Sequence, residues 1–172
     1  MKYISASVAF TFCAIFFSYG QSKGEIAIKD QANKMGQAFI SGDYDLFSKY
    51  TNPKVLKVMG GASKMAEVLI KTTADMKVKG MTFSNITFGE PTKIVKNGNE
   101  LQCTILQHTE IKLFQQRVVS TSTLIAISID NGSNWTFVDT SNKDITTVRK
   151  LLPDLSSTIT IPPQQPPVQY NY

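Results

Sequence analysis

His108 is the only histidine in the 172-residue chain, and Glu110 stands two positions on. In an extended segment their side chains share one face, where an imidazole and a carboxylate can act as an acid/base pair. Gln107 and Thr109 alternate with them on the opposite face, and Thr121, Thr123 and Asp139 follow further along. A carboxylate beside apolar surface can be desolvated and act as a base, which makes Asp139 the candidate catalytic residue. Cys103 offers a thiol, but it lies in an alternating apolar pattern with no histidine near it in sequence and reads as a small core hydrophobe. One histidine and one cysteine beyond residue 20 do not make a zinc site without unusual carboxylate help. Gly60-Gly61 lacks the lysine and spacing of a phosphate loop, so neither a metal nor another cofactor is expected.

Helices come first among the elements that must position these groups. From Glu25 to Ile40, apolar Ile28, Ala32, Met35 and Phe39 recur at helical spacing, and Gly42 ends the run. A short second helix starts at Asp43, an acceptable N-cap, and breaks before Pro53. Val55, Leu56 and Met59 continue as a short helical or irregular piece. After Gly60-Gly61, the stretch Ser63 to Lys77 sets Met65, Val68, Leu69, Thr72 and Met76 on one face of another helix.

From Gly80 the period changes to two, and β-branched and aromatic residues take over. Strands are expected at Met81–Phe88, Thr92–Lys96, Asn99–Leu113, Arg117–Asp130 and Trp135–Asp139, with a last short helix over Lys143–Leu152. The two long strands would each run roughly 40 Å at ~3.3 Å per residue, a length at which strands bend. Asn97-Gly98 is a strong hairpin signal that would place Ile94 opposite Leu101.

A one-residue slip exchanges the two faces of a strand, so apolar matching can be used to choose the register. With Phe114-Gln115-Gln116 as the loop, Ile111 faces Val119, Ile105 faces Ile125, Cys103 faces Ile127 and Leu101 faces Ile129. A loop at Asn131-Gly132-Ser133 then sets Trp135 against Ile129 and Phe137 against Ile127. This register gathers Gln107, Thr109, Thr121 and Thr123 into a polar island on the apolar face, with Trp135 and Phe137 as a wall and Asp139 beside it. These are the expected ligand-binding residues. His108 and Glu110 fall on the outer face beside Ser120 and Ser122. The alternative for Asp139 is structural, as a cap on residues Thr140 to Asn142.

Helices followed by a curved antiparallel sheet with long central strands resemble the NTF2-like, or cystatin-like, α+β cone superfamily. The resemblance rests on the turn Phe39-Ile40-Ser41-Gly42-Asp43-Tyr44-Asp45, on Gly60-Gly61 before a helix, and on Asn134-Trp135-Thr136-Phe137-Val138-Asp139. It covers Glu25 to about Leu152 and implies an α+β fold with N-terminal helices packed on a strongly curved sheet. Domains of that superfamily include isomerases, hydrolases and dehydratases as well as exported binding domains; no catalytic motif of the enzymatic branches matches here residue by residue. Two functions follow as alternatives: non-catalytic binding of a small apolar ligand or a protein partner, and isomerase or dehydratase chemistry using Asp139.

Lys2, the apolar run Val8–Phe17 and the small residues Ser18 and Gly20 have the form of a secretory signal ending before Gln21. The chain is therefore expected to be exported, secreted or periplasmic. Cys13 is preceded by Phe10-Thr11-Phe12 where a lipoprotein signal needs small residues, so no lipid anchor and no membrane association after cleavage are expected. The whole chain carries 18 basic and 13 acidic residues; the first 20 hold Lys2 and no acid, leaving a mild excess of +4. Its lysines are scattered as on solvated helix faces, a distribution that argues against nucleic acid. Leu106, Leu124 and Ala126 on the other sheet face would permit a homodimer. From Pro153 a tail rich in proline and glutamine is expected to be extended or disordered, with almost nothing to bury.

Overall fold

A computed structural model describes residues 23–171; the expected signal segment lies outside them. Helices α1 (Lys23–Ser41), α2 (Tyr44–Tyr50), α3 (Pro53–Val58) and α4 (Ala62–Val78) come first. Strands β1 (Met81–Phe88), β2 (Val95–Asn97), β3 (Glu100–Leu113), β4 (Gln116–Ser128) and β5 (Thr136–Asp139) follow, then α5 (Ile145–Leu151) and β6 (Val168–Asn171). The architecture is α+β, with the N-terminal helices packed against a strongly curled antiparallel half-barrel. The caps follow the side-chain chemistry. Asp43 accepts from the Leu46 N–H at 2.9 Å, and Asn52 accepts from the Lys54 N–H just before Pro53 opens α3.

The sheet runs β1-β3-β4-β5; β2 pairs with β3, and β6 pairs with β4. Its central hairpin departs from the expected register by one residue. Ile111 is opposite Val118, Ile105 opposite Leu124, Cys103 opposite Ala126 and Leu101 opposite Ser128. The loop is the two residues Phe114-Gln115, because Phe114 itself adopts the left-handed conformation (φ 47°). Its ring lies against Gly80, where an added Cβ would come within 3.2 Å of it. A two-residue hairpin turn needs positive φ at its start, normally supplied by glycine or asparagine, so phenylalanine gives no local signal for it. The next hairpin is also shifted by one, with Phe137 opposite Ala126 and Thr136 opposite Ile127. At the first hairpin the loop is Gly98-Asn99, so Lys96, not Ile94, opposes Leu101.

The two one-residue shifts cancel for β3 and β5 and reverse β4 alone. On the concave face Ile28, Ala32 and Met35 of α1 pack on Cys103, Ile105, Leu124, Ala126, Trp135 and Phe137. The reversed residues Ile125 and Ile127 belong instead to a second core on the convex face, with Val138, Val148, Leu152, Leu155 and Ile159. Leu155 and Ile159 are buried, so the segment after Pro153 is extended but does not lack apolar contacts. Fully buried Gln102 fastens it, donating to the Asp154 carbonyl and accepting from the Ser156 N–H at 2.8 Å. Leu124 and Ala126 lie in the concave core, apart from Leu106 on the convex side, so the three do not form one exposed dimer patch.

Candidate functional site

Beyond Phe137 the concave face is not filled. A cavity of about 390 Å³ opens between the helices and the sheet, with Met35, Phe39, Phe47, Met59 and Met65 on the helix side. Phe39 anchors that wall by edge-on contacts, 5.0 Å from the Phe83 ring and 5.9 Å from Tyr44. On the sheet side Phe83 and Ile86 both line the cavity although they are three residues apart. A β-bulge at Ser84, where the pairing shifts between Phe83↔Ile111 and Asn85↔Glu110, brings them to the same face.

The polar part of the floor differs from the expected island. Gln107 and Thr109 line the cavity, and the Gln107 amide donates to the Thr109 hydroxyl at 3.2 Å. Their neighbours on β4 are Ser122 and Ser120. Thr121 and Thr123 are on the convex face, because β4 is reversed; Thr121 pairs with His108, whose Nδ1 lies 2.9 Å from the Thr121 hydroxyl. Phe137 lines the cavity as expected, whereas Trp135 is buried in the solid part of the core. Its indole donates to the Gly132 carbonyl, and its backbone N–H donates to Gln31 of α1.

Asp139 reaches the cavity rim but is exposed. Its Oδ1 accepts from both the N–H (2.8 Å) and the hydroxyl (2.6 Å) of Ser141. This is the capping role, and it leaves no desolvated base in the cavity. His108 and Glu110 do share the outer face, but not as a pair. Glu110 accepts from Ser84 (2.8 Å) and from Arg117 (2.8 Å), and these bonds hold its carboxyl below the usual glutamate range. Burial pushes the Cys103 thiol up to about 12, as expected of a core cysteine. No cluster of three or more possible metal-ligating side chains occurs among the described residues.

Sequence reasoning missed Ser120 and Ser122, which the register decides, and the rim residues Ser141 and Gln164. Gln164 had no signal, since it lies in the proline-rich segment; its Oε1 accepts from the Asn142 N–H at 2.9 Å. No described helix is long and apolar enough to cross a membrane. No protein-family model matches the chain, and no curated protein matches it.

Proposed function

We propose that the chain is an exported NTF2-like domain that binds a small apolar ligand without transforming it. The observation that carries this reading is the concave cavity: its volume falls in the range of small-molecule sites, and its walls are methionine and phenylalanine over a floor of neutral polar groups. Methionine side chains adapt to irregular ligands. Gln107, Thr109, Ser120 and Ser122, two cross-strand pairs on β3 and β4, supply hydrogen bonds on the floor. Catalysis by Asp139 is disfavoured, because that carboxylate is exposed and already engaged by Ser141. Export is supported by Lys2, the apolar run Val8–Phe17 and the small residues before Gln21.

Titration with N-phenyl-1-naphthylamine, an uncharged fluorescent apolar probe, tests the binding reading. Saturable fluorescence enhancement is expected for the native protein. Met59→Trp, which fills the cavity from the helix side, should weaken it at least tenfold while leaving the unfolding temperature within a few degrees. Binding that ignores the tryptophan would remove the site.

A further inference from the structure

A second hollow, of about 590 Å³, lies on the convex side of the sheet under the segment Ile161–Gln165. Ser122, Ser141 and Gln164 line both hollows, so the two approach each other across these residues. The place of approach is a gap in the edge of β4. Residues 124–127 pair with β5 and residues 116–119 with β6, leaving Ser120 to Thr123 without a strand partner on that edge. Among the described residues Thr140 bonds there, its N–H and hydroxyl both donating to the Thr123 carbonyl. Gln164 spans the gap, held by the Asn142 N–H.

The charges on either side of the gap are unequal. Among the described residues the concave cavity is lined by no cation, and one carboxylate, Asp139, stands at its rim. The convex hollow is lined, among the described residues, by one cation, Lys143. Asp144 lines it too, its Oδ1 accepting from the Thr147 N–H at 2.7 Å to cap α5, so the described lining of the convex hollow is balanced where that of the concave cavity is negative. The Lys143 ammonium donates to the Ser141 carbonyl at 3.2 Å, which leaves donors for an incoming acid. At roughly 30 Å³ per water-sized group, the concave cavity takes about a dozen heavy-atom groups, the scale of a medium-length alkyl chain.

Building on the binding role above, we propose that the ligand is a single-chain carboxylic acid that passes through the sheet edge. Its chain fills the concave cavity, and its carboxylate emerges past Gln164 to pair with Lys143. An acid head finds neutral donors but no cation among the described residues of the cavity and meets Asp139 at the rim, so it is favoured on the convex side. Gln164 acts as a clasp over the passage.

The test compares dodecanoate with dodecanol on the full chain, each displacing N-phenyl-1-naphthylamine. Lys143 is exposed, so Lys143→Met should fold normally. The variant is expected to bind dodecanoate about tenfold more weakly and dodecanol within twofold of the native protein. Gln164→Ala should speed dodecanoate release several-fold. If both compounds bind and Lys143→Met weakens neither, or weakens both equally, the threaded acid is overturned while the apolar binding role stands. If neither compound displaces the probe from the native protein, both fall.

Discussion

Gly36 of α1 faces β1, and a Cβ there would lie 3.0 Å from the Phe88 ring and 3.2 Å from Ile86. In an exposed helix, alanine would gain up to about 1 kcal/mol over glycine from propensity. Here the Phe88 ring and Ile86 would both have to give by a few tenths of an ångström, and overpacking of that kind costs about 1 to 3 kcal/mol. Gly36→Ala is therefore expected to lower the urea midpoint, and a raised midpoint would mean that α1 can move off β1 freely. Cys103 should resist iodoacetamide in the native protein and react only on unfolding, because its thiol is buried and its ionisation pushed up to about 12. Asp130 ties its charge to the turn that follows β4. The N–H of Asn134, its side-chain amide and Ser128 hold the Asp130 carboxyl at about 2, against 3.8 for a free aspartate. A lowered folded value means that the contribution is present above pH 3.8 and fades as the pH falls through about 2. The gap in unfolding temperature between native protein and Asp130→Asn should accordingly narrow between pH 5 and pH 2. A gap constant over that range would show that the turn does not depend on the carboxylate charge.

At the scale of elements, legibility depended on contrast between the two faces. Helix starts and ends were readable where Asp43, Pro53 and the paired glycines are local signals, whereas Asn52 as the cap of α3 was not read. The inward faces of β3 and β5 were readable too, since Cys103, Ile105 and Ile111 alternate with polar residues, as do Trp135 and Phe137. β4 offered no such contrast: Ser120-Thr121-Ser122-Thr123 is hydroxylated on both faces, and Leu124-Ile125-Ala126-Ile127 is apolar on both. A strand buried on both sides reads as a continuous apolar run, and its phase is then set by what packs on it. The second covering layer is α5 with the segment holding Leu155 and Ile159, which composition alone marked as having little to bury. Gln102→Ala tests how firmly that layer is fastened. It removes the acceptor of the Ser156 N–H and a donor to Asp154, at a cost of about 1 to 3 kcal/mol. Hydrogen exchange should show faster exchange of amides in residues 154–159 in the variant, and unchanged protection there would refute the fastening.

Over the whole molecule, the sheet carries helices on both sides yet remains unfilled at one end. Replacing Asp139 with asparagine keeps an oxygen acceptor for Ser141, so binding of N-phenyl-1-naphthylamine is expected to stay within twofold. A large loss would restore a direct role for that charge. The resemblance in sequence captured the helix-then-curved-sheet order, because its signals were turns; it did not extend to β6, which lies beyond the stretch that carried them. That strand has a consequence for how the protein is made. The edge at residues 116–119, with Val118 and Val119 beside Arg117, is covered by residues synthesised about fifty positions later. At roughly 5 to 20 residues per second, a ribosome leaves that edge bare for some 3 to 10 seconds. A nascent chain with an open valine edge can pair with its neighbours on a polysome, and Arg117 is the charge best placed to discourage it. Once the chain is complete, the same guanidinium lies 4.5 Å from the Tyr170 ring, so the residue that guards the bare edge also helps fasten its cover.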